Sequence, residues 1–459
     1  MENTNDLTEG DISQQMWSLA WPMMLSFFFH TLYNIVDAYW VGKLSADAIA
    51  AVSISQIALF IMMSVGFGVT VGSGVIMAME LGSKNKDGAE RVLGQSLVLM
   101  VLLSVAFLVP ALIFKDQLLT LSGASGSIFE PAKEYFSVTA AGAPLFFVLI
   151  AIMFAFNSQG DTFTLTKLFA LSILINLVLD PVLIFGAGPF PELGISGAAY
   201  ATLFSQFVFI LVALKSLSSP KRAVRFRVKN LSLHLKSVKQ VMRIGFPAAL
   251  TQVLNPIGLA ALTFITSKAF FEPGAIAFSL AFRIEFFAYL PAVGYGFAAM
   301  AMMGQSIGAH NLERSIEVFK KAILWGSGIA LGMGLITALF ASQIVGIFTT
   351  DTLVVEHSVS YFRSVSFTYV FLAAMMIEAN AFQAIGRSWP GFWITILRLF
   401  IVIIPSALFF VYVFDFGISG IWVAMMLGNV ISALIGYVWI SQSLKNFQFE
   451  QVDEVIQQA

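Results

Sequence analysis

Apolar residues in this chain run in long unbroken blocks, with neither the alternation of a half-buried strand nor the stripe of a surface helix. Twelve blocks can be bounded, at 17–41, 51–79, 92–114, 133–156, 163–187, 194–217, 241–268, 276–307, 319–348, 358–384, 391–413 and 418–443. Each is long enough, at about 20 residues or more, to cross about 30 Å of hydrocarbon as a helix. The pattern predicts an all-α polytopic membrane protein with twelve transmembrane helices. The second and eighth blocks are long and contain several glycines each, which predicts breaks or tilts within them.

Twelve crossings leave both termini on one side, so the polar loops can be sorted by parity. Eighteen of the 25 Lys and Arg residues fall on the terminal side. Four, Lys43, Lys115, Lys133 and Lys268, fall on the other, and Arg283, Arg363 and Arg398 lie inside blocks. Positive loops stay in the cytoplasm, so the bias predicts a multi-pass protein of the cytoplasmic (inner) membrane with both termini inside. The longest polar stretch, Ser216 to Arg243, is basic and central. It reads as a cytoplasmic linker (218–240) between an N-lobe (17–217) and a C-lobe (241–443), with cytoplasmic segments at 1–16 and 444–459. Topology and lipid headgroups account for its charge, and no nucleic-acid partner is called for.

The two halves repeat at an offset of about 223 to 228 residues. Trp21-Pro22 matches Phe246-Pro247, Val65-Gly66-Phe67-Gly68 matches Val293-Gly294-Tyr295-Gly296, and Leu81-Gly82 matches Ile307-Gly308. Pro181 matches Pro405, and Leu193-Gly194-Ile195-Ser196-Gly197 matches Phe416-Gly417-Ile418-Ser419-Gly420. Six crossings per half return the second half to the membrane in the orientation of the first. The lobes are therefore parallel repeats, an arrangement that ordinarily holds a cavity between them.

Composition narrows the chemistry. The chain is 58% hydrophobic and 11% charged, with 45 Phe, 19 Met and no Cys. Thiol nucleophiles, disulfides and thiolate metal sites are excluded. No Lys or Arg occurs in the first sixteen residues, so there is no signal-peptide n-region. No G-x-x-x-x-G-K-[ST] loop is present for nucleotide-driven pumping, and no organic cofactor is implied. Phe and Met facing an interior space would form an adaptable apolar wall.

An ionisable side chain inside a span is a functional candidate by default. Asp180 lies in Asn176-Leu-Val-Leu-Asp180-Pro181, four residues after Asn176 and on the same helical face. Pro181 cannot donate to the carbonyl of Leu177, so this face offers hard oxygen ligands for a proton or Na⁺. Asp37 occupies span one. Counted at 1.5 Å per residue, Asp37, Asp180 and Thr202 lie roughly 6, 10 and 12 Å from the outer surface, all in the outer half. By the repeat, Asp37 corresponds to Leu262 and Asp180 to Ile404, so the carboxylates belong to the first lobe only. Asn34 and Tyr33, close to Asp37 on span one, are additional members of the proposed network. Pro22 frees the carbonyl of Ser18 and supplies a hinge in span one.

Three further candidates stand in the second lobe. Glu378 and Arg398 occupy the cytoplasmic halves of adjacent spans and are placed to pair. Glu285 is two residues from Arg283, so the two face different ways. Glu80, ending span two, reads as a solvated acid.

Taken together, Pro22 and Asp37 in span one, FNSQGDT at 156–162, NLVLDP at 176–181 and GISGAAYAT at 194–202 resemble the multidrug and toxic compound extrusion (MATE) family over essentially the whole chain. Carboxylates confined to the first lobe resemble that family's DNA-damage-inducible-protein-F-like branch. The resemblance implies a monomeric secondary active exporter, not an enzyme, that moves amphipathic cationic compounds outward against H⁺ or Na⁺ by alternating access within membrane lipid. It places the coupling ion, Na⁺ included, on Asp37, Asn176, Asp180 and Thr202. A rival within transport is a flippase for lipid-linked precursors, which an Arg-rich groove would favour. A rival from another class is an intramembrane aspartyl protease with Asp37 and Asp180 as its dyad, although the G-x-G-D pattern of such enzymes is absent.

Overall fold

The computed structural model describes residues 6–450 and 452, and among them there is no strand. Helices follow in order as α1 (Ile12–Gly42), α2 (Ala46–Gly82), α3 (Lys86–Ile113), α4 (Lys115–Leu121), α5 (Phe129–Ala141), α6 (Ala143–Ser158), α7 (Thr162–Phe185) and α8 (Gly194–Leu217). The second half supplies α9 (Leu235–Gly308), α10 (Leu312–Leu339), α11 (Ala341–Gly346), α12 (Thr352–Val365), α13 (Tyr369–Ala384), α14 (Trp389–Ile396), α15 (Ile404–Tyr412) and α16 (Ser419–Lys445). A π-helical stretch, Leu397–Ile403, joins α14 to α15. The long α9 is two crossings joined at a sharp turn, where Phe270 and Phe271 leave helical geometry and Phe271 has φ 54°. The fourth crossing is α5 and α6, bent by 50° at Gly142. With these joins the helices supply the twelve expected crossings.

The sequence repeat is also a repeat of backbone detail. Lys84 and His310 take left-handed φ of 63° and 56°, each followed by an Asn that caps the next helix. Asn85 accepts from the Gly88 N–H and Asn311 from the Arg314 N–H, satisfying donors that a helix N-terminus leaves open. Gly160 and Gly386 take φ of 73° and 75°, and Gly194 and Gly417 take 54° and 59°. Glycine enters this region without a Cβ penalty.

The glycines of the second and eighth runs do not break their helices. α2 is continuous, and so is the second crossing of α9. The glycines serve close packing instead: a Cβ on Gly68 would lie 2.1 Å from the Ala249 Cα, and one on Gly72 would lie 2.2 Å from the Val241 carbonyl oxygen. Small residues that let backbones approach are how helices associate where no hydrophobic drive separates them from lipid.

Two compact units divide the chain. Leu25–Ala249 forms the body of the first, while Leu7–Met24 and the described residues from Leu250 onward form the second. Both divisions fall at the same repeat position, three residues after Pro22 and Pro247. The start of α9 thus packs within the first unit, which explains the contacts of Gly68 and Gly72. The start of α1 packs within the second, where a Cβ on Gly294 would lie 2.6 Å from the Ala20 carbonyl oxygen. The interior of the second unit is built around Trp422, stacked on Phe278 and met edge-on by Tyr361.

Polar straps hold the segment preceding each of these exchanged helices. In the first unit Arg222 pairs with Asp161 and donates to Ser216 Oγ at 2.7 Å. Arg225 Nε and Arg227 Nε each lie 2.8 Å from one oxygen of the buried Glu90. In the second unit Arg314 donates to the carbonyls of Leu7, Glu9 and Gly10 and to Gln15 Oε1, at 2.8 to 3.1 Å.

Candidate functional site

In the first unit α1, α5, α7 and α8 bring polar side chains into one buried cluster. α7 runs unbroken through Pro181 and stacks Asn176 on Asp180, so that Asn176 Nδ2 donates to Asp180 Oδ1 at 2.8 Å. α8 presents Thr202. Its close approach to α7 depends on Gly197, where a Cβ would lie 2.4 Å from the Leu183 carbonyl oxygen. α1 contributes Asp37, buried like Asp180 and within electrostatic reach of it. Tyr33 stands against Thr202 and interacts with both aspartates.

Hydrogen bonding leaves this cluster incomplete on its acceptor side. Asp37 Oδ1 and Asp180 Oδ2 are buried with no hydrogen-bond partner. The groups that interact electrostatically with the two aspartates are each other, Tyr33 and Tyr135, with no Lys or Arg among them. Buried carboxylates are ordinarily paired or satisfied. Acceptors that converge without a counter-cation present hard oxygen atoms of the kind that suit H⁺ or Na⁺. Among the described residues no group of three or more His, Cys, Asp or Glu side chains is placed to hold a metal ion.

Tyr135 is the member that the apolar pattern did not single out. It is buried on α5 and interacts with Asp37 and Asp180. It sits near the outer end of the fourth run, so the depth count applied to Asp37 would have found it. Asn34, by contrast, does not join. It is exposed, and its amide donates at 3.0 Å to the His30 carbonyl of its own helix. Three residues before Asp37 is close in angle on a helix, yet the helix turns Tyr33 rather than Asn34 towards the cluster.

The second unit carries a different set. Tyr361 Oη donates to Glu285 Oε2, and Arg398 interacts with Glu285. Arg398 Nε donates to Asn429 Oδ1 at 2.9 Å, and Asn429 Nδ2 to Thr368 Oγ1 at 2.9 Å. The expected pairing of Arg398 with Glu378 is therefore not formed. The π-helical stretch carries Arg398, which is instead engaged by Glu285 and Asn429. Arg283 is exposed and Glu285 buried, in agreement with their spacing. Glu80 is buried beside Asn85 and Arg91, not solvated, because the tight turn at Lys84 folds the start of α3 over it.

A duplicated twelve-crossing body with an unneutralised acidic cluster inside its first half defines a multi-pass membrane transporter. The MatE family model matches residues 22–182 and again 247–409, once per repeat, and the chain belongs to that family. It is 26% identical over 438 residues to an FAD transporter of Shewanella oneidensis, spanning 95% of this chain and 96% of that protein. It is 28% identical to the probable multidrug resistance protein YoeA of Bacillus subtilis, spanning 91% and 90%. Among solved structures, an outward-facing multidrug resistance MATE family transporter of the MOP superfamily superposes with a TM-score of 0.90 at 28% identity, spanning 96% of this chain and 98% of that one. A MOP superfamily transporter from Pyrococcus furiosus superposes equally well, spanning 97% and 99%.

Proposed function

We propose that this protein is a secondary active exporter that moves amphipathic cationic compounds out of the cell by alternating access, driven by inward H⁺, with Na⁺ as the alternative ion. The observation that carries the reading is the cluster of Asp37, Asn176, Asp180 and Thr202, whose charged groups are both acids and in which two buried carboxylate oxygens lack any donor. The protein lies in the cytoplasmic membrane with both termini inside. The ion enters from the outside and neutralises the aspartate pair. α1 then repacks against α7 and α8, with Pro22 as the point of flexure, and the repacking releases substrate outward. Tyr33 and Tyr135 supply hydroxyls that donate to whichever aspartate oxygen remains charged.

Purified protein in proteoliposomes, given a ΔpH or a Na⁺ gradient separately, tests the reading. Movement of a fluorescent lipophilic cation driven by ΔpH alone supports H⁺ coupling, and movement driven by Na⁺ alone supports the alternative. Movement under neither, with transport in the presence of ATP, would remove the reading. The similarity to an FAD transporter across nearly the whole chain favours one second reading, export of a dinucleotide, and FAD belongs in the same assay as a competing substrate.

A further inference from the structure

Glu378 has no place in the cation cluster or in the Glu285 and Arg398 network. It lies on α13, 1% exposed, and neither of its carboxylate oxygens has a hydrogen-bond partner. Gly436 of α16 and Ile394 of α14 stand beside it: a Cβ on Gly436 would lie 2.1 Å from Glu378 Oε2 and 3.4 Å from Ile394. Gly436 is therefore the residue that makes room for the carboxyl.

Packing alone does not call for an acid here. The repeat aligns the turn after α13 with the turn after α6, since Gly386 and Gly160 share their left-handed φ and Arg387 and Asp161 donate back to Phe382 and Phe156. That register places Glu378 opposite Ile152, which is 0% exposed. An aliphatic side chain fills the corresponding position completely, so the carboxyl adds chemistry rather than volume.

We propose that Glu378 is a second proton-binding site of the transport cycle, in the second unit and on the side of the basic loops. This rests on the proton-coupled reading above and adds a second acceptor to it. Glu378 is six residues before the end of α13, about 9 Å at 1.5 Å per residue, and crossing parity puts that end in the cytoplasm. The aspartate pair belongs to the outer half, so the two acceptors serve opposite mouths of the membrane.

No charged group competes for this carboxyl. α14 has no titratable side chain, and on the second crossing of α9 the charged residues Glu272, Arg283 and Glu285 all precede Phe286, with none from there to its end at Gly308. The other titratable groups on the second crossing of α9, on α10 and on α16 are Tyr289 and Tyr295, then Glu313, Arg314, Glu317, Lys320 and Lys321, then Tyr437 and Lys445. None of these, nor Arg398, is an electrostatic partner of Glu378. A carboxylate there would be an uncompensated buried charge, whereas a carboxylic acid needs only the space above Gly436. The contact with Gly436 makes the packing of α13 on α16 the place where a change in this proton would be felt.

The test uses the full chain, purified in detergent, with Glu378→Gln, Glu378→Ile (the residue at the matching position) and Asp180→Asn. Proton release on adding tetraphenylphosphonium is followed with a pH dye, and pH-difference infrared spectra follow the carboxylic acid C=O band. The proposal predicts that either Glu378 variant loses one pH-dependent carboxylic band and part of the proton release, that Asp180→Asn loses a different band, and that the double variant releases none. Wild-type release and an unchanged difference spectrum in Glu378→Gln or Glu378→Ile would overturn it. A change in the Glu378 variants with none in Asp180→Asn would instead sink the first-lobe reading while leaving this one standing.

Discussion

Replacing Glu90 by Ala should release the central linker from the first unit. Glu90 is 1% exposed, and the guanidinium groups it holds, on Arg225 and Arg227, are 33% and 31% exposed. A charge-assisted bond to a buried acceptor contributes about 1.5 to 3 kcal/mol, an exposed ion pair about 0.2 to 1. Two third-exposed arginines sharing one carboxylate fall between these limits, and their contributions do not add fully. Their joint worth is then about 2 kcal/mol, or about a thirtyfold change in the docked-to-undocked ratio. Trypsin cleaves after Lys221, Arg222, Arg225, Arg227 and Lys229, and when reclosing is fast the cleavage rate follows the open population. Purified Glu90→Ala should therefore be nicked in the linker about thirtyfold faster than wild type while its helical circular dichroism is unchanged. A rate within about threefold of wild type, roughly 0.7 kcal/mol, would refute the claim that this carboxylate docks the linker.

Three further outcomes are expected. Pro22→Ala should retain ion binding but slow turnover in reconstituted vesicles, because it restores the donor that the hinge lacks; an unchanged turnover number would leave α1 a static bend. Tyr135→Phe, which removes only a hydroxyl beside two aspartates, should weaken ΔpH-driven transport while the melting temperature stays close to wild type; full coupling would exclude that hydroxyl. Gly197→Val should destabilise by about 1 to 3 kcal/mol through overpacking of α8 on the Leu183 carbonyl, read as a lowered thermal midpoint.

Much of this architecture could be read without coordinates because the bilayer leaves few options: backbone groups must be satisfied within each crossing, so long apolar runs are helices. The repeat was equally legible, since Gly82 and Gly308, or Gly194 and Gly417, recur at nearly the same offset, although the matching turn glycines Gly160 and Gly386 were seen only in the backbone. Asp37, Asn176, Asp180 and Thr202 stood out because polar atoms at such depths are rare. What the pattern concealed was how partners are chosen. Arg398 meets Glu285 rather than Glu378 because contacts between crossings far apart in sequence decide it, and Asn34 bonds to the His30 carbonyl of the preceding turn of its own helix. The glycines of α2 look like helix breakers in sequence, yet they receive the exchanged start of α9, which depends on a chain crossover that no local pattern encodes. Linker basicity satisfies the topology rule by itself, so nothing in it pointed to Glu90 and Asp161 as the acids that bind it down.

The central claim is that the first-lobe carboxylates, and not their repeat-equivalent positions, couple ion entry to export. Comparing Asp180→Asn with Ile404→Asn in proteoliposomes under an imposed ΔpH tests it most directly. Asparagine preserves the volume of Asp180, and its amide oxygen can still accept the 2.8 Å bond from Asn176, so the substitution removes the titrating group and leaves the packing in place. Asp180→Asn should bind a fluorescent lipophilic cation and melt near the wild-type temperature, yet show no ΔpH-driven movement, while Ile404→Asn should keep much of it. ΔpH-driven transport at the wild-type rate in Asp180→Asn would contradict the account.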